Sequence, residues 1–160
     1  DPAQCPFVPA EFRRQGYHTA QIGKWHTGTD TGFGRDWDYQ IVWNRPAHPD
    51  NAGNYYGEQI LSTNGGPDKL TEGYSTDNYT NWAVEYIQGR HRDPAKPWYL
   101  WLCYGAVHGP YTPAERHKKE LAGIDLFHAD KAWAKQRRPE VETFLRVISP
   151  WERDHLLLNV

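Results

Sequence analysis

The chain has 160 residues, with 18 Lys and Arg against 20 Asp and Glu for a formal charge of −2, and so carries no basic excess of the kind that nucleic-acid binding requires. Hydrophobic residues reach only 38% while aromatic residues reach 14%, which concentrates the apolar area in large amphipathic rings. No apolar run approaches the ~20 residues needed to span a bilayer, and the two cysteines, Cys5 and Cys103, define no disulfide framework.

The length allows one compact domain. The chain opens on Asp1, contains no Met and closes on Leu158, Asn159 and Val160 without a terminal signal, so we expect an internal piece of a longer protein. A short helix is expected over residues 9–15, with Pro9 at its first position, Phe12 facing inward and Gly16 ending it. Residues 17–23 read as a strand in which Tyr17, Thr19 and Gln21 oppose His18, Ala20 and Ile22, and which runs into Lys24, Trp25 and His26. A loop follows over 27–34, and Trp37, Tyr39, Ile41 and Trp43 suggest a second strand.

Residues 44–73, rich in Pro, Gly and Asn, read mostly as loop. A loop of that length inside a compact domain is usually functional, and we place it on the substrate side. The clearest helix covers 77–88, where Tyr79, Trp82, Ala83, Tyr86 and Ile87 recur on one face, residues 75–77 offer caps and Gly89 a stop. Residues 98–104 are apolar without alternation, as in a strand covered on both faces, and lead through Gly105 to His108. A polar, Pro-containing stretch at 111–120 has helical character. Residues 139–148 suggest a last helix, with Val141, Phe144, Leu145 and Ile148 on one face and Pro150 beyond it.

Helix followed by strand, twice over, indicates an α/β layered domain with a mainly parallel sheet. Ligands of such sheets bind outside the carboxyl ends of the strands, where Lys24, His26 and His108 all fall. In the extended segment Gly23-Lys24-Trp25-His26-Thr27-Gly28, Lys24 and His26 point the same way and Trp25 the other. An ammonium and an imidazole so placed suit an oxyanion, and the imidazole can also exchange a proton. Spacing alone slightly favours a blander arrangement of surface Lys and loop His about a core Trp. For His108 in isolation, structural and functional roles weigh evenly.

Other motifs carry less. Asp36-Trp37-Asp38 reads as a solvated pair rather than a cation site. Gly28, Gly32 and Gly34 fit neither a phosphate loop nor a dinucleotide fingerprint. Asn78-Tyr79-Thr80 is a formal glycosylation sequon, discounted because it falls in the first turn of a helix. Trp43, Tyr55, Tyr56 and Tyr74 are placed to stack on sugar rings, although core packing is the commoner fate of such rings.

Gly16-Tyr17-His18-Thr19-Ala20-Gln21-Ile22-Gly23-Lys24-Trp25-His26 resembles the second signature of the type I sulfatases, a family of the alkaline-phosphatase-like superfamily. The resemblance continues in Gly34-Arg35-Asp36-Trp37-Asp38-Tyr39, Tyr74-Ser75-Thr76-Asp77-Asn78-Tyr79-Thr80 and His108-Gly109-Pro110. It covers about residues 8–117 and leaves 118–160 uncertain, a stretch we read as truncated. It implies a partial alkaline-phosphatase-like domain over 1–160, in which Lys24 binds a sulfate oxygen, His26 interacts with the nucleophile's hydroxyl, and His108 binds or protonates at the ester.

The resemblance also implies a formylglycine made from a Cys-x-Pro-Ser-Arg motif, a calcium held mainly by acids, a carbohydrate or small-molecule sulfate ester as substrate, and a periplasmic or secreted setting. Cys5-Pro6-Phe7-Val8-Pro9 departs from that motif and lies too near Lys24, so neither nucleophile nor metal ligand is expected in this chain, which alone should be inactive. It would need the missing N- and C-terminal parts of the same enzyme. Two other readings remain open: a non-catalytic, aromatic-rich carbohydrate-binding or interaction module, and a segment of a related phosphoesterase.

Overall fold

A computed structural model describes residues 6–119, and its organising element is β1 (His18–Trp25). β1 runs parallel to β2 (Tyr39–Asn44) on one side and to β5 (Trp98–Cys103) on the other, with Lys24 level with Trp43 and Gly23 level with Cys103. Beyond β2 the sheet continues antiparallel through β3 (Gln59–Thr63) and β4 (Lys69–Thr71), so the order is β4-β3-β2-β1-β5.

Both faces of the sheet have a helix or aromatic cover, which makes the layering α/β as expected. Ala20 and Ile22 of β1, Tyr39, Ile41 and Trp43 of β2 and Leu61 of β3 form one buried cluster with Tyr79, Ala83 and Tyr86 of α2 (Ser75–Ile87). On the opposite face Trp25, Trp37 and Val42 gather with Tyr99. Phe12 of α1 (Val8–Arg14) stacks on Tyr99 at 4.6 Å, and Phe7 just before it meets Trp25 and Trp37 edge-on at 6.3 and 5.8 Å. The alternation read from 17–23 therefore holds, and the strand runs on through Trp25.

Three expectations need correction and one an addition. Residues 44–73 are mostly loop, as expected, but they also contain a 3-10 turn at Pro49–Asn51 and the β3–β4 hairpin. β4 escaped notice because it is three residues long and lacks a buried side chain, so no apolar alternation marks it. α2 starts without a side-chain cap, since the Ser75 hydroxyl donates instead to the Tyr55 carbonyl at 2.7 Å. β5 is not covered on both faces. No described strand lies outside it, and Trp98 and Trp101 are 40% and 36% exposed.

The third correction concerns the acids. Asp36 is buried and paired with Arg35 at 2.9 Å, rather than solvated. Asp38 accepts from the Arg13 guanidinium at 2.8 Å and from the Thr19 amide at 3.0 Å, tying α1 to the entrances of β1 and β2. Burial opposes ionisation of Asp38, but those two donors hold its carboxyl below the usual range.

The described residues divide after Thr112 into two units. Of the second, the described part holds one 3-10 turn, Glu115–His117, in place of the helix suggested over 111–120. Cys5, the helix suggested over 139–148 and the apolar tail lie outside the described residues.

An uncovered parallel edge strand with two exposed indoles is a template for unwanted pairing. We expect the purified 160-residue chain to aggregate on warming. A reversible, cooperative thermal transition in dilute buffer would contradict this.

Candidate functional site

β1 delivers Lys24 to the carboxyl end of the sheet because Gly23 lets the strand bend there. Its φ is +112°, and a Cβ at that position would run into the Cys103 carbonyl of β5 and approach the Tyr79 ring at 3.0 Å. Trp25 then turns to the opposite face, buried and held by its indole N–H donating to the Gly28 carbonyl at 3.0 Å. Lys24 and Trp25 thus take opposite faces, as alternation requires.

The site is organised by a buried ring that the sequence singled out for another purpose. Tyr55 lies in the core, with its carbonyl fixed by Ser75 and its backbone packed against Gly105, where a Cβ would meet the Tyr55 oxygen at 2.5 Å. The Lys24 ammonium sits 5.3 Å from the centre of this ring, and the His108 imidazole stacks on it at 3.9 Å and 7°. The Arg45 guanidinium lies 4.8 Å from the same ring and 5.5 Å from Trp43.

His26 enters through Arg45. Arg45 Nη1 donates to His26 Nδ1 at 3.2 Å, while Arg45 Nε donates to the Ala52 carbonyl at 2.8 Å. The loop that carries His108 is fastened from the other side: the Tyr56 hydroxyl donates to the His108 carbonyl at 2.8 Å and the Tyr74 hydroxyl to the Thr112 carbonyl at 2.9 Å. The two phenol rings stack on each other at 6.0 Å. Of the four rings proposed for sugar stacking, Trp43 and Tyr55 are therefore core, and Tyr56 and Tyr74 brace the histidine loop. Lys24 and His108 share the Tyr55 ring, and His26 is linked to that ring only through Arg45.

The electrostatics of this place are one-sided. Burial lowers the Lys24 pKa, and the neighbouring Arg45 charge lowers it further; the Cys103 thiol opposes both, and no carboxylate acts on Lys24. Two cations held together with neither paired to an acid among the described residues is an arrangement completed by an anionic ligand. Burial in turn pushes the Cys103 thiol up to about 11, despite Lys24 nearby, so it stays protonated at neutral pH and is no nucleophile.

Sequence reasoning missed Arg45 because nothing in Trp43-Asn44-Arg45-Pro46 marks it. Its only cue is its place directly after a parallel strand, the position that had already singled out Lys24 and His108.

Residues 1–149 match the sequence profile of the family described as Sulfatase. This chain belongs to the sulfatase family. Among curated sulfatases it is similar to the N-acetylglucosamine-6-O-sulfatase of Bacteroides thetaiotaomicron, 30% identical over 110 residues that cover 68% of this chain and 18% of that protein. It is also similar to arylsulfatase J of Mus musculus, 30% identical over 137 residues that cover 73% of this chain and 21% of that protein. This sulfatase chain thus spans about a fifth of the length of these relatives.

Solved structures agree on the fold. One, in complex with its substrate D-glucosamine-2-N,6-O-disulfate, superposes with a TM-score of 0.59 at 26% identity, covering 72% of this chain and 22% of that one. Another, in complex with k-i-k-neocarrahexaose, gives a TM-score of 0.59 at 20% identity over 78% of this chain and 31% of that one, a likeness of fold alone. The alkaline-phosphatase-like α/β architecture is therefore that of the sulfatases.

The sulfatase family's calcium finds no seat here. No group of three His, Cys, Asp or Glu that could hold a metal occurs among the described residues, and Asp36 and Asp38 are occupied by Arg35 and Arg13. Nor does Cys103, a half-buried thiol within β5, fit the family's modified cysteine.

Proposed function

We propose that the full-length protein carrying this chain hydrolyses sulfate esters of carbohydrates, and that Lys24, His26 and His108 line its sulfate pocket. The observation that carries this reading is the gathering of Lys24, which has no acidic partner among the described residues, His108 and Arg45 on the Tyr55 ring at the carboxyl ends of the parallel strands, with His26 joined to them through Arg45. In this role the Lys24 ammonium binds a sulfate oxygen and offsets charge that builds on the sulfuryl group as the ester bond breaks. His26 approaches the nucleophile's hydroxyl. His108 delivers a proton to the departing alcohol oxygen as its bond to sulfur breaks, and the sulfuryl group passes to the oxygen of an attacking nucleophile and in the end to water, so that the net products of ester and water are alcohol and inorganic sulfate. Similarity to an N-acetylglucosamine-6-O-sulfatase and to a structure holding a disulfated glucosamine favours sulfated amino sugars as the substrate class.

Neither Cys5 nor Cys103 lies in a Cys-x-Pro-Ser-Arg motif, so the formylglycine that the family generally uses would come from outside this chain, and the 160-residue chain alone should not turn over. The test is to incubate the full-length protein with glucosamine 6-sulfate, an aryl sulfate and the matching phosphate esters. Release of inorganic sulfate is expected. Release of phosphate without sulfate would replace this reading with a phosphoesterase, and release of neither would leave a binding module.

The lowered Lys24 pKa sets a pH dependence. A lysine whose pKa is depressed loses its proton at a lower pH than the ordinary value of about 10.4, and the neutral amine no longer attracts an anion. Inhibition of the full-length protein by inorganic sulfate should therefore weaken as pH rises, beginning below the range of a free lysine. Affinity constant up to about pH 10.4 would contradict this.

A further inference from the structure

A guanidinium has N–H groups to donate and no acceptor. The 3.2 Å contact between Arg45 Nη1 and His26 Nδ1 therefore requires a lone pair on Nδ1 and leaves the ring proton on Nε2. The opposite holds at His108, where Nδ1 lies 2.7 Å from the Gly109 carbonyl and must donate to it, so that the neutral ring presents a bare Nε2. Two imidazoles of one pocket are thus set as opposite tautomers by different partners.

Arg45 is itself held for this task. Nε is fixed on the Ala52 carbonyl at 2.8 Å, and the plane of the group lies near two buried rings, Trp43 and Tyr55, that limit where it can swing. His26, by contrast, is exposed and begins the loop after β1, with no other hydrogen bond among the described residues to orient its ring. A side chain with an anchored donor next to an unanchored imidazole supplies the orientation that the imidazole lacks.

We propose that Arg45 is a positioning residue that fixes His26 as an Nε2–H donor directed away from Arg45, while the Gly109 carbonyl keeps neutral His108 as an Nε2 acceptor. The proposal rests on the sulfate-ester reading of the pocket and adds a division of labour within it. His26 offers a hydrogen bond to an oxygen of the nucleophile or substrate without changing protonation state, and His108 is the ring that takes up and releases a proton. An imidazolium at His26 would set two N–H groups face to face at Arg45, so the proton-carrying role falls to His108.

The experiment uses the full-length protein with 15N-labelled histidine, recorded at a pH where imidazoles are neutral, with His26→Gln and His108→Gln serving to assign the resonances. The expected spectrum has the His26 proton on Nε2 and the His108 proton on Nδ1. Arg45→Met keeps an unbranched chain against Tyr55 and Trp43 but removes the donor; it should shift His26 to a mixture of tautomers and leave His108 unchanged. Sulfate-ester turnover should fall about 10- to 100-fold, mostly in kcat, the range typical of residues that orient a functional histidine through its second nitrogen. Arg45→Lys, which retains a charged donor, should restore part of both.

A wild-type spectrum with the His26 proton on Nδ1 overturns the proposal. So does an Arg45→Met protein with wild-type tautomers and wild-type kcat. Failure of the pocket reading would look different: Lys24→Ala would then leave turnover intact whatever the state of His26.

Discussion

Replacing Lys24 by Ala in the full-length protein should lower kcat/KM for a sulfate ester by about 100- to 1,000-fold, the usual cost of removing one preorganised donor from a site of developing negative charge. The size follows from the surroundings of the ammonium. It lies over a buried tyrosine ring at 5.3 Å, with burial and Arg45 both acting against its charge and no carboxylate among the described residues to satisfy it. The bound ester supplies the missing anion, so the interaction is made in a partly desolvated place where it is worth more than in water.

Two of the five N–H groups of Arg45 are committed, to the Ala52 carbonyl and to His26, which holds Arg45 where it stands when Lys24 is removed. The check is steady-state turnover of an aryl sulfate and of a sulfated sugar by Lys24→Ala, with the melting temperature measured alongside to separate chemistry from folding. Turnover within about threefold of wild type would remove Lys24 from the site, and with it the sulfate pocket.

The placement of Lys24, Trp25 and His108 on the sheet was legible before any coordinates, for reasons that differ by residue. Lys24 and Trp25 could be placed on opposite faces because a strand has a period of two, and His108 could be placed beside them because parallel strands end on one edge of a sheet. Tyr55 was seen only as a ring in a loop. That its ring meets Lys24, Arg45 and His108 depends on Gly105 and Ser75, which are 50 and 20 positions away in sequence and reach Tyr55 only through the fold. Arg45 was silent for the same reason: an arginine after a strand gains meaning from the imidazole across from it, and β1 brings that imidazole there from 19 residues away.

The fold was readable where apolar periodicity is strong, as in α2 and β1. It was not readable where pairing is made by backbone alone, as in β4, or where coverage is decided by other parts of the protein, as on β5.

Gly23→Ala should be the most damaging single methyl group that can be added to this chain. Two costs act together: a φ of +112° is strained for any residue with a Cβ, and the added carbon is driven into the Cys103 carbonyl of the neighbouring strand. Strain of about 1–3 kcal/mol and overpacking of about 1–3 kcal/mol give a loss on the order of 2–6 kcal/mol, a large share of the 5–15 kcal/mol that typically holds a domain together.

The two costs can be separated. Gly28 has a φ of +102° but open space where its Cβ would go, so Gly28→Ala carries the backbone strain without the collision. Thermal melts of the full-length protein should rank wild type above Gly28→Ala and Gly28→Ala well above Gly23→Ala. Gly23→Ala should also lose turnover at temperatures where it remains folded, because the parallel register of β1 and β5 is what brings Lys24 and the His108 loop to the same ring. Equal melting temperatures for the two variants would mean that β1 and β5 can move apart at Gly23 without penalty, and that the close approach of Gly23 to Cys103 does not position the site.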